Sequence, residues 1–219
     1  MTRETISLQI HDKARRKGFV KARPLQRFTA QVHCACASRR LVAKAGKTGF
    51  GDKLETLALS VLTTMHERAA VFDRMCAEGR AHTVQYMLPQ PSLTEWMACT
   101  APEKAWICVL SESGREAAAV WITDFTGRAA LFHFVVFRGF ERLTREMCLM
   151  ACRWAFDGWL ACLMGIIPAV NRAALAAMAA CGWKEVFRIP QACYVHRLGR
   201  HVDGALCHFT PKLLREAMQ

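Results

Sequence analysis

Ile166-Ile167-Pro168-Ala169-Val170-Asn171-Arg172-Ala173-Ala174-Leu175, closed by Cys181-Gly182-Trp183, is the stretch that decides the fold. It begins inside a continuous apolar run, residues 160–167, which predicts a strand buried on both faces. Pro168 ends that strand because it cannot donate to a ladder. Asn171 is a good N-cap residue, the alanine-rich 173–180 is a strong helix former, and Gly182 falls where a helix end needs a left-handed residue. The whole stretch 160–181 approaches membrane-spanning length, but Pro168, Asn171 and Arg172 at its middle make it strand, turn and helix instead.

Working upstream, three apolar runs (105–110, 117–124 and 129–137) are joined by the polar turns Glu112-Ser113-Gly114-Arg115 and Thr126-Gly127-Arg128 and predict an antiparallel meander. Residues 142–156 follow with helical spacing at Leu143, Met147, Met150 and Trp154. Before the meander, 54–63 predicts a first strand and 65–78 a helix. Ser92 with Glu95 three residues on is a capping-box pattern for a short second helix. Downstream of Gly182, 183–189 and 193–198 read as two strands with Pro190 between them. The expected order is β-α-α-β-β-β-α-β-α-β-β, a mixed α/β (α+β) domain over 54–198, with 1–53 as an N-terminal extension and 199–219 as a C-terminal tail.

That order, with Asn171, Ala174, Gly182 and Trp183 at their spacing, resembles the GNAT superfamily of acetyltransferases. The resemblance covers about two thirds of the chain and implies a mostly antiparallel central sheet flanked by helices, with acetyl-CoA as co-substrate and a primary amine as acceptor. It implies that Val135 and Val136 on the fourth strand offer main-chain groups to the pantetheine arm. It places Asn171 and Ala174 beside the reacting sulfur, and it assigns the pyrophosphate to the loop through Arg138, Gly139, Phe140, Arg142, Leu143 and Thr144, where helix-terminal amides meet an anion. Of that loop's usual glycines only Gly139 is present, and Glu141 brings a carboxylate to the same place. Met178 stands where many GNAT enzymes carry the tyrosine that protonates the leaving thiolate, so Tyr194 is the candidate acid.

For a general base, His133 is the polar side chain of the apolar strand Leu131-Phe132-His133-Phe134-Val135, and histidine titrates near the pH at which an amine must lose its proton. Its alternative reading is a core or strand-face histidine hydrogen-bonded to a neighbour. Asp124 is the second candidate, with an Asx turn as its alternative reading.

Charge is uneven along the 219 residues: 1–53 hold 13 Lys/Arg against 3 Asp/Glu, whereas 54–219 hold 17 against 15. The extension is a flexible solvated arm or one that contacts nucleic acid through phosphates. Eleven cysteines, odd in number and scattered, read as reduced thiols of a cytoplasmic protein, and no signal sequence follows Met1. No membrane partner is expected. No metal site is expected either: His33-Cys34-Ala35-Cys36 lacks a second pair, and Cys148 and Cys152 continue the apolar face of their helix. Gly46-Lys47-Thr48 lacks the first glycine of a P-loop. A narrower resemblance, from Asn171 to Pro190 with Leu198-Gly199-Arg200-His201-Val202-Asp203-Gly204, is to GNAT-like proteins of tailed bacteriophages, and implies a binding or virion-associated role without catalysis.

Overall fold

The computed structural model describes residues 57–219 and the backbone of Leu41–Val42. The rest of the basic extension, with its Gly46-Lys47-Thr48 and His33-Cys34-Ala35-Cys36 motifs, lies outside the described residues. β1 (Leu41–Val42) and β2 (Leu57–Val61) lead to α1 (Met65–Ala77), α2 (Ala81–Val84) and α3 (Leu93–Cys99). The meander is β3 (Trp106–Glu112), β4 (Arg115–Thr126) and β5 (Ala129–Val136). A 3-10 turn, Glu141–Leu143, enters α4 (Thr144–Asp157), followed by β6 (Cys162–Pro168), α5 (Arg172–Ala180), β7 (Lys184–Val195), β8 (Arg200–Phe209) and α6 (Pro211–Ala217). These strands form one sheet in the order β1-β2-β3-β4-β5-β6-β8-β7, antiparallel except where β5 meets β6. The expected mixed, mostly antiparallel sheet flanked by helices is thus present.

Local chemistry explains the elements. α1 opens on a reciprocal capping box, Thr64 with Glu67. At Ser92 the side chain accepts from the Glu95 amide, as expected of a cap. α1 buries Val71, Phe72 and Met75 against one sheet face, where Phe72 stacks on Trp96 and Trp96 meets Trp121 edge-on. On the other face α4 buries Met147, Cys148, Ala151, Cys152 and Trp154, and Trp183 packs between Phe132 and Phe209. Arg68 is 3% exposed. Its guanidinium donates to the main-chain oxygens of Leu62, Thr100 and Ala105, tying β2, α3 and the entry to β3 together.

The C-terminal strands differ from expectation. Residues 184–195 form a single strand that passes through Pro190, because β7 is the outermost strand and Pro190 sits in a bulge where 190–192 oppose Asp203 alone. Gln191 takes a φ of +52° there and donates its amide to Asp203 Oδ1. The strand that lies between β7 and β6 is β8, within the segment read from sequence as a tail.

Candidate active site at the split in the sheet

β5 and β6 pair over only three residues, Ala129–Leu131 against Cys162–Met164. Beyond that seam β5 stays with β4 through Val136, and β6 stays with β8 through Pro168. The sheet therefore splits into two halves that diverge toward the carboxyl ends of both parallel strands. One edge of 132–136 carries main-chain N–H and C=O groups that no strand among the described residues pairs, and such groups require a partner. Ile166, although on an interior strand, is 39% exposed, which marks the opening on the sheet surface. Crevices outside the carboxyl ends of parallel strands, where the connections part, are the usual ligand sites of such sheets.

The pleat decides which side chains share a face. A Cβ built on Gly165 would lie 3.9 Å from the Trp183 ring, so Gly165 and Phe132 point toward α4. Their neighbours Ile166 and His133 point the other way, toward α1 and α3. A Cβ on Gly204 would lie 2.9 Å from Ile166 Cγ2 and 3.1 Å from Cys193 Sγ, so Cys193 is on the His133 face too. Tyr86 Oη donates to Cys193 Sγ at 3.7 Å, bringing this phenol to the same side. Burial and the Cys193 contact push the Tyr86 hydroxyl up from its ordinary pKa, so it keeps its proton. Nothing in the local sequence around Tyr86 signalled this placement; the contact is made across 107 positions.

His133 stacks flat on Trp121, ring centroids 5.2 Å apart and planes 5° from parallel. Its Nε2 is 3.0 Å from Thr123 Oγ1, which donates to Asp124 Oδ2 at 2.8 Å. A hydroxyl has one proton. Given to Asp124, that proton leaves Thr123 to accept from His133 Nε2–H, so the lone pair of the imidazole is on Nδ1. Burial pushes the His133 pKa down to about 4, with Asp124 opposing weakly, and the ring is neutral at pH 7. Asp124 lies in a bulge, 124 and 125 opposing Ala130, with φ +51°. That conformation is costly for a residue with a Cβ, and it turns the carboxylate back onto Thr123 in place of the Asx turn considered from sequence.

The loop after β5 is anchored by Phe137, Phe140 and Leu143, each 4% exposed or less, so Phe140 and Leu143 can serve a ligand only through main-chain atoms. Gly139 makes the turn with φ +87°. Two of its amides meet carboxylates: Arg138 N donates to Glu78 Oε2 at 2.7 Å and Gly139 N to Glu141 Oε2 at 2.8 Å. Its own amide, the Gly139 amide and Arg80 hold the Glu141 carboxyl below the usual range. Arg142 is turned away to Glu112, at 2.6 and 2.7 Å, whereas Arg138 has no ion pair among the described residues. Thr144 Oγ1 donates to Glu141 O. Val135 is buried and Val136 half-buried. A cavity of about 470 Å³ is lined by Cys76, Gly79, His82 and Pro89–Pro91, and a Cβ built on Gly79 would lie 4.0 Å from the Arg138 guanidinium.

Asn171 caps α5, its Oδ1 accepting from Ala174 N at 3.2 Å. Tyr194 is apart from these groups, on the outermost strand with β8 between it and β6, its ring 5.0 Å from His201 and 6.2 Å from His196. Among the described residues no three His, Cys, Asp or Glu side chains cluster to hold a metal ion. No helix among them is long and apolar enough to cross a membrane.

Solved structures share this architecture. A spermidine N-acetyltransferase from Vibrio cholerae, determined with CoA and spermine, superposes with a TM-score of 0.60 at 14% identity, covering 73% of this chain and 98% of that one. A ribosomal-protein-S5-alanine acetyltransferase from Vibrio fischeri gives 0.56 at 12% identity, over 71% and 93%. Mycobacterium smegmatis RimJ, in complex with CoA-disulfide, gives 0.58 at 16%, over 74% and 88%. The chain has the GNAT acetyltransferase fold. No protein-family model and no curated protein matches the sequence. Within the GNAT fold the split between β5 and β6, the loop 137–144 and the Asn171 cap fall at one end of the sheet, while Tyr194 does not join them.

Proposed function

We propose that the chain is an N-acyltransferase that moves an acetyl group from acetyl-CoA to a primary amine within one ternary complex. The observation that carries this reading is the split in the sheet, whose unpaired β5 edge suits a ligand arm that carries its own amides. Acetyl-CoA, when bound, supplies the thioester. The edge of 132–136, with Val135 and Val136, binds and orients the arm, and an amide there polarises the thioester carbonyl. The loop 138–144 faces the diphosphate, and the cavity at Gly79, within the usual size of small-ligand sites, suits the nucleotide end. Asn171 and Ala174 fix the start of α5 at the mouth of the split.

His133 Nδ1 takes the proton that the attacking nitrogen loses as it bonds to the carbonyl carbon, when that nitrogen is far more acidic than a free ammonium. Thr123 and Asp124 hold the ring in the required tautomer. As the carbon–sulfur bond breaks, the leaving thiolate takes back, through solvent, the proton that His133 accepted, and the Tyr86 hydroxyl, on the His133 face that Tyr194 does not approach, serves it as a hydrogen-bond donor. The described cysteines are free thiols, which suits a reducing cytoplasm.

The test is thiol release from acetyl-CoA across a panel of primary amines. Turnover with at least one amine, reduced on the order of a hundredfold in His133→Ala, is expected. Absence of thiol release above the buffer rate with every amine rejects the reading. A binding module without chemistry is the second reading, favoured by the carboxylates on the loop amides and by Met178, which packs against the core where a tyrosine would stand. It is the reading that carries the phage resemblance and a nucleic-acid role for residues 1–53.

A further inference from the structure

We propose that Glu141, seconded by Glu78, is an internal occupant of the diphosphate cradle, so that a donor binds only by displacing a carboxylate of the chain itself. The inference rests on the acyltransferase reading for what the cradle is for, but not for its test. Two amides just before α4 are each held by a carboxylate: Arg138 N by Glu78 and Gly139 N by Glu141. Around them stand Arg74, Arg80 and Arg138. Arg80 pairs with Glu141 at 2.9 Å and Arg74 with Glu78 at 3.2 Å. Amides and guanidinium groups in this arrangement are what a diphosphate needs, and the two glutamates already satisfy them.

The two carboxylates are unequal. Glu78 is fixed by Arg74, which also reaches Glu116 and lies 4.0 Å over the Phe137 ring. Glu141 is more than half exposed, whereas Glu78 is 17% exposed, so Glu141 is the one that can rotate out and release Gly139 and Arg80 together. Displacement makes Glu141 a specificity-determining residue: it lowers the affinity gained from a diphosphate while leaving the binding of an arm along β5 untouched.

The probe is inorganic pyrophosphate, titrated calorimetrically into the full chain, Glu141→Ala and Glu141→Gln. Both variants are expected to bind it about tenfold more tightly than the unaltered chain, a gain of about 1.4 kcal/mol. Equal or weaker binding by Glu141→Ala, with melting unchanged as expected for an exposed side chain, overturns the proposal. Because the probe carries neither thioester nor pantetheine, a tighter variant that still releases no thiol in the amine screen would fail the acyltransferase reading while upholding the occupied cradle.

Discussion

At the scale of the residue, His133 shows how a polar side chain in an apolar strand becomes informative. Its position on β5 was legible as the polar break in an apolar run; its partners were not, because Thr123 and Asp124 reach it through register and a bulge that no local pattern announces. The folded chain pushes the imidazole to about 4, against an ordinary 6.5. Between those values the unfolded chain binds a proton that the folded chain refuses, so stability falls as pH drops from 6.5 toward 4 and this loss is absent above 6.5. Urea midpoints at pH 7 and pH 5 should therefore differ more for the unaltered chain than for His133→Gln. An equal difference in both would show that the ring titrates normally. Asn171 was legible in the same sense: the cap was read from the sequence and is made to Ala174, three residues on.

At the scale of the element, the β-α alternation was readable wherever hydrophobic period and punctuation agreed, as in the meander and in β6–α5. It failed at β7 and β8. Pro190 looks like a break, yet an outermost strand tolerates it in a bulge. In β8 the buried positions include Gly204 and Ala205 while Arg200, His201 and Asp203 are exposed, so the apolar pattern is too weak to read as an interior strand. Arg68 was also invisible, since a charge at a helix position normally signals solvent. Its guanidinium holds three main-chain oxygens, and removing it leaves them without that donor in a buried place. Arg68→Ala is expected to cost about 3 kcal/mol, read as a lowered denaturation midpoint at unchanged slope. A change within about 0.5 kcal/mol would mean that the guanidinium is dispensable.

At the scale of the whole molecule, the sheet consists of two halves joined by a three-residue parallel seam. Sequence led to a β6 buried on both faces; the exposure of Ile166 departs from that because the halves part beside it. No residue pattern encodes the split directly, since it arises from β5 following β4 while β6 follows β8. The clearest test of the account is amide hydrogen exchange with and without saturating acetyl-CoA. Binding along the free edge predicts slowing of at least about tenfold for the outward-facing amides of 132–136, with smaller changes across α6 and the outer part of β7. Exchange in 132–136 that is the same with and without acetyl-CoA would contradict it.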